Sequence, residues 1–130
     1  MRAIKSRVIA NNAEALASGR RDVAAAAHRH KPEGWDIDAA VSLQCEFVFK
    51  RPLSHYGTGK NAGKLKSSAP VHHVKTPDLD KAVRGVADSI GDAVASVLLR
   101  NDSQIVSIHA TKRYQTDDFL GAIITVTALP

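Results

Sequence analysis

The sequence has a single cysteine, no run of 18 apolar residues and, from residue 50 to residue 75, no aspartate or glutamate. Each absence excludes something. One thiol, Cys45, cannot close an intrachain disulfide and offers no paired-thiol zinc site, which fits a reducing compartment. Without a long apolar run there is no membrane-spanning helix, and MRAIKSRVIANN at the N-terminus has neither the apolar centre nor the small-residue cleavage site of a secretory signal. The chain is expected to be cytoplasmic, with no membrane partner.

What is present bounds the fold. A length of 130 residues with 44% apolar composition suits one domain, residues 1–130, built on one core. The net charge of +5 raises the expectation of a polyanionic partner, nucleic acid above all. Six cations, Lys50, Arg51, Lys60, Lys64, Lys66 and Lys75, lie in the acid-free segment, so the rest of the chain sums to 5 − 6 = −1. The basic character belongs to one segment.

Periodicity gives the elements. Residues 7–10 read as a short strand, and Asn11 or Asn12 can cap a helix continuing to His30, in which Gly19 costs about 1 kcal/mol relative to alanine. Leu16, Val23, Ala26 and Ala27 are its apolar contributors. His28 and His30, two apart on a helix, are poorly placed to share a metal. After a turn at residues 32–35, Val41, Leu43, Cys45, Phe47 and Phe49 alternate with polar residues, the pattern of a half-buried strand. Cys45 falls in the apolar register and is read as core, not nucleophile.

Residues 51–70, RPLSHYGTGKNAGKLKSSAP, carry three glycines and two prolines. This density of turn formers predicts a long surface loop, basic over about 51–75, without a packed element of its own. His55 and Tyr56 interleave with its lysines, a combination suited to stacking on bases while ammonium groups meet phosphates. GTGKNAGK lacks the G-x-x-x-x-G-K-S/T spacing of a phosphate-binding loop, so no nucleotide cofactor is expected. His72 and His73 are adjacent, point to opposite faces of an extended segment and are read as structural or solvent-facing.

A second helix is predicted to begin at residues 77–80. Leu79, Ala82, Val83, Val86 and Ile90 form one apolar face, and Gly91 and Asp92 end it. Asp78 and Asp80 lie about 200° apart on a regular helix, so both face one ion only if Asp78 stays in the extended lead-in. Acids at a helix start also complement its dipole, and the two readings stand side by side. Val94, Val97, Leu98 and Leu99 form another apolar patch. RNDSQ then turns the chain into a strand over residues 105–112, with Val106, Ile108 and Ala110 on one face, which brings Asp102 beside the helix start. Asp117 and Asp118 are turn residues before a last strand over residues 122–129.

Two ordered segments carry a resemblance. KTPDLDKAVRGVADSI is similar to the K-P-D-L-D-N-L-x-K-x-x-x-D-A-L segment of the RusA-like Holliday-junction resolvases, and NDSQIVSIHATKRY to their D-D-S-Q-V sequence followed by K-x-Y. RPLSHYGTGKNAGKLKSSAP resembles the R-P-x-S-H-Y loop of phage members. The resemblance spans roughly residues 47–129. It implies an α+β domain, RusA-like, with a mixed sheet of about four strands against two or three helices. It further implies a Mg²⁺-dependent endonuclease, with Mn²⁺ as a substitute, cutting four-way DNA junctions as a homodimer in a bacterial host, of phage or prophage origin. Asp78, Asp80 and Asp102 match the metal-binding carboxylates, and Arg84 takes the place of a catalytic lysine. Lys112 matches a basic strand residue and joins Lys50, Arg51, His55, Tyr56, Lys60, Lys64, Lys66 and Lys75 as expected DNA contacts.

Three departures bear on the expected activity. Asn101 replaces the first acid of the D-D pair and brings no charge, Arg84 replaces lysine, and Lys81 replaces asparagine. The I-P-G-x-P-like opening of family members does not precede Arg7, which reads as a short N-terminus or a start assigned downstream. Two alternatives remain: a catalytically impaired branched-DNA-binding protein, and a small structural or interaction domain whose aspartates are caps.

Overall fold

The computed structural model of the chain describes residues 4–10, 20–91 and 97–130. Its α+β fold is the expected one. A mixed sheet has the order β1-β4-β2-β3, formed by β1 (Ile4–Ala10), β2 (Val41–Phe49), β3 (Ile105–Tyr114) and β4 (Gly121–Ala128). β1 begins three residues earlier than periodicity predicts, because its pairing with β4 extends to Ile4 opposite Ala128. β4 runs antiparallel to β1 and β2, and β3 runs parallel to β2. A parallel neighbour requires a crossover, and helix α2 (Leu79–Gly91) lies within it.

Alternation decides which face is buried. Val41, Leu43, Cys45 and Phe47 of β2 stand opposite Ala128, Val126, Ile124 and Ala122 of β4, and all eight are buried. Val23, Ala26 and Ala27 of helix α1 (Arg20–His30) and Val83, Val86 and Ile90 of α2 complete the core, with residues 97–99 closing one end. Burial pushes the Cys45 thiol up to about 12, so it stays protonated and packs as a small apolar group. Residues 11–19, where the predicted first helix begins and Leu16 lies, fall outside the described residues, as does Val94.

Gly91, the last described residue of α2, sits at a close approach. A Cβ on Gly91 would lie 2.6 Å from Cβ of Leu99, so only glycine lets the returning chain pass there. The amides of Leu98 and Leu99 both donate to the Ile90 carbonyl, at 2.9 and 3.1 Å, and Trp35 Nε1 donates to the Leu98 carbonyl at 2.8 Å.

β3 departs from simple alternation. Its register with β2 slips after Val41 opposite Ile105, so Ser42 meets Ser107 and Val106 is the extra residue of a bulge. From Ile108 on, Ile108, Ala110, Lys112 and Tyr114 pair with Leu43, Cys45, Phe47 and Phe49 and therefore share the helix-covered face. The expectation that Val106 belongs to that face fails because the bulge resets the period. Val106 and Ile108 remain 63% and 55% exposed. Val106 is left to solvent by the bulge, and Ile108, on the outer strand, borders a groove that α2 covers only in part.

Candidate active site

α2 and β3 leave a groove between them, and it holds the chemistry. A cavity of about 410 Å³ is lined by Asp80 and Arg84 from α2 and by Asp102 from the turn before β3. Val83, Ala87, Ile105 and Ile108 give it apolar walls. Asp80 stands in the first turn of α2, where its charge complements the helix dipole, and Arg84 is one turn along on the same side. Asp102 opens a short 3-10 turn, residues Asp102–Gln104, that delivers the chain into β3.

That turn is rigidly built. Asn101 Oδ1 accepts from the Ser103 amide at 2.9 Å, while Gln104 Oε1 accepts from the amides of Asn101 and Arg100 at 3.0 and 2.9 Å. The Gln104 amide group donates to the carbonyls of Ile37 and Ala39 at 2.9 and 2.8 Å, which ties the turn to the segment before β2. Asn101 is thus the cap of a reciprocal capping box, and its side-chain oxygen is committed to the backbone. The family's acid at this position is replaced by a residue that keeps the turn. The spacing Asn-x-x-Gln is the sequence signal that reveals Gln104, which composition and charge pass over.

Asp78 is placed differently. Its carbonyl accepts from the Ala82 amide, so it stands at the threshold of α2, and its carboxylate pairs with Lys81 at 3.7 Å. It does not line the groove. Among the described residues no three His, Cys, Asp or Glu side chains gather as a ready metal cluster. Two carboxylates, Asp80 and Asp102, line the groove, and the third, Asp78, pairs at the surface with Lys81 instead.

The expected DNA contacts divide into three groups. Lys50, Lys60, Lys64, Lys66 and Lys75 are exposed. Arg51, His55 and Tyr56 are half-buried and serve the fold. The Arg51 guanidinium lies 4.4 Å over the Tyr114 ring and donates to the Pro70 carbonyl at 2.7 Å, with His55 Nδ1 at 3.2 Å. His55 also meets Tyr114 edge-on, with ring centroids 5.2 Å apart. Lys112 reaches back to the chain ahead of α2, where its ammonium donates to the carbonyls of Lys75 and Pro77 at 2.7 and 3.1 Å.

His73 is the buried member of the adjacent pair, as its structural reading requires. It stacks on Phe49 with centroids 4.1 Å apart and meets Tyr114 at 5.0 Å. Its Nδ1 is buried without a hydrogen-bond partner. Burial first, and the Lys112 charge second, hold its pKa below the ordinary value, so the ring sits neutral among aromatics.

The segment 51–70 has neither α-helix nor strand, yet it carries local order that composition does not reveal. A short 3-10 turn at Leu53–His55 precedes the bridged pairs Tyr56 with Leu65 and Gly57 with Ala62, and a second at Gly59–Asn61 lies between their partners. Hydrogen bonds of 2.9 Å join the Gly57 amide to the Lys64 carbonyl and the Lys66 amide to the His55 carbonyl. Turn residues here build a hairpin, because each reversal is closed by its own backbone bond.

A small α+β domain with two carboxylates and an arginine lining one groove, and a separate basic hairpin, has a residue set suited to phosphodiesters. Residues 4–127 match the family described as endodeoxyribonuclease RusA, and the chain belongs to that family. No curated protein matches the sequence. No helix among the described residues is long and apolar enough to cross a membrane.

Proposed function

We propose that the protein is a divalent-metal-dependent endonuclease that resolves four-way DNA junctions by paired symmetric nicks. The observation that carries this reading is the convergence of Asp80, Arg84 and Asp102 on one groove between α2 and β3. Carboxylate oxygens are hard donors, and Mg²⁺ is typically held by one or two of them together with phosphate oxygens and water, so the donor set suits Mg²⁺ or Mn²⁺. Asp80 and Asp102 would hold the ion, with Asp78 available on release from Lys81. When bound, the ion supplies Lewis acidity and an activated water for phosphodiester hydrolysis.

The remaining steps belong to the chain. Arg84 faces the phosphate and offsets the negative charge that grows on its oxygens in the transition state. Val83, Ala87, Ile105 and Ile108 give the groove an apolar wall that leaves Asp80, Arg84 and Asp102 as its polar partners for the phosphate. Cutting two strands symmetrically calls for two such grooves, which a two-fold homodimer supplies from one gene. Exposed lysines of the segment 50–75 grip the DNA backbone, so affinity falls steeply with salt. The reading places the enzyme in the cytoplasm of a bacterial host, on phage or prophage recombination intermediates.

Incubation with a synthetic four-way junction and Mg²⁺ tests it. The wild-type chain should nick opposing strands, and Asp80→Asn should lower the rate on the order of 10²–10³-fold while junction binding survives. A folded Asp80→Asn protein with wild-type activity would remove the groove from the mechanism. A second reading, branched-DNA binding without cleavage, is favoured by the Asp78–Lys81 pair and the capping role of Asn101. Junction binding with no nicks at any Mg²⁺ or Mn²⁺ concentration would establish that one instead.

A further inference from the structure

The basic hairpin contains a second cleft, separate from the acidic groove. It has a volume of about 520 Å³ and is lined on its polar side by Thr58, Asn61, Lys64, Lys66, Ser67 and Ser68. We infer that this cleft is a preformed seat for one backbone phosphate of the DNA, distinct from the phosphate that is cut. The inference rests on the reading of the chain as a branched-DNA enzyme.

The lining chemistry selects the ligand. Two lysines, three hydroxyl residues and an asparagine line the one cleft, and no acid occurs from residue 50 to residue 75 to compete for them. A phosphodiester presents acceptors and negative charge only, which such a donor set complements. Thr58 occupies the cap position of the Gly59–Asn61 turn, yet its hydroxyl makes no cap bond and remains available to a ligand.

The cleft is shaped before any ligand arrives. The Asn61 amide donates to the Thr58 carbonyl at 3.0 Å and the Lys64 amide to the Asn61 carbonyl at 3.0 Å, while Gly59 and Gly63 adopt φ of 59° and 78° that other residues rarely take. A Cβ on Gly57 would come within 2.5 Å of Asn61 Cβ, so the two walls touch only because residue 57 is glycine. A seat ordered in advance loses little conformational freedom on binding. Lys60 lies on the hairpin but outside the cleft lining, and Arg51 is spent on Tyr114 and Pro70, which separates the seat from the general positive charge of the segment.

Fluorescence anisotropy with a labelled four-way junction, without divalent metal and at several salt concentrations, tests the seat on the full-length chain. If Lys64 and Lys66 address one phosphate, Lys64→Met with Lys66→Met should weaken binding and reduce the slope of log K against log salt by about 0.9, the value for a single phosphate. Thr58→Val removes a hydroxyl and no charge, so it should weaken binding about tenfold with the slope unchanged. Lys60→Met should cost less than either lysine of the cleft.

Equal losses from Lys60, Lys64 and Lys66 would overturn the seat in favour of diffuse attraction. Unchanged junction affinity in the double variant and in Thr58→Val would overturn it in favour of another anionic ligand, such as an acidic polypeptide. Failure of the enzyme reading shows separately, as a wild-type chain that binds the junction without nicking it at any Mg²⁺ or Mn²⁺ concentration.

Discussion

The core face of the sheet and the segment 51–77 are built by opposite means. On the core face, residues such as Leu43, Cys45, Phe47, Ile124 and Val126 are excluded from water, and the alternation of strands decides which side chains are inside. In the segment 51–77 hardly any side chain is buried. His73 is the exception, and the chain is held by backbone bonds, by Arg51 and His55 on Tyr114, and by Lys112 on two carbonyls. The first region is sensitive to volume, whereas the second is sensitive to single polar contacts and to pH.

The contrast can be broken from either side. Phe47→Ala empties a site in the middle of the core and should lower the unfolding free energy by about 3–5 kcal/mol, read as a fall in the urea midpoint. Lys112→Met releases the carbonyls of Lys75 and Pro77 at a cost of about 1.5–3 kcal/mol, the range for hydrogen bonds to a charged group. Cleavage should fall because the start of α2 loses its tether, while junction affinity and its salt slope stay at wild-type values. A slope reduced by about one would instead make Lys112 a phosphate contact.

His73 sharpens the comparison through pH. Its folded pKa lies below the ordinary 6.5, so the unfolded chain takes up the proton first. The stabilising contribution is complete above about pH 6.5 and fades as pH falls below it. The urea midpoint should therefore drop more between about pH 7.5 and about pH 5 in the wild type than in His73→Phe. Equal drops would mean that the buried imidazole is not the responsive group. The smallest effect belongs to Lys81→Asn. The Asp78–Lys81 pair is exposed, so stability should change by no more than about 0.5 kcal/mol. Freeing Asp78 should lower the Mg²⁺ concentration needed for half-maximal cleavage.

Periodicity made much of this visible beforehand. The alternation from Val41 to Phe49, the buried face of α2 and the core position of Cys45 follow from local pattern alone, and the same pattern brings Asp102 beside Asp80. What stayed hidden depends on contacts between distant residues. Arg51 and Lys112 read as cations for DNA because nothing local reveals that Tyr114, Pro70, Lys75 and Pro77 will meet them. The order of the hairpin was missed for a related reason, since glycine and asparagine mark reversals without saying whether the reversals close on one another. Asp78 shows a finer limit: its sequence position fits the metal motif, while its carboxylate lies outside the groove and pairs at the surface with Lys81, a residue that departs from the family pattern.

Tyr114 and Lys112 lie two residues apart on β3, a separation of about 7 Å along the strand. One anchors the hairpin and the other anchors the start of α2. β3 is therefore a common datum for the hairpin and the start of α2. Any displacement of this outer strand against the rest of the sheet would carry both attachments in the same direction.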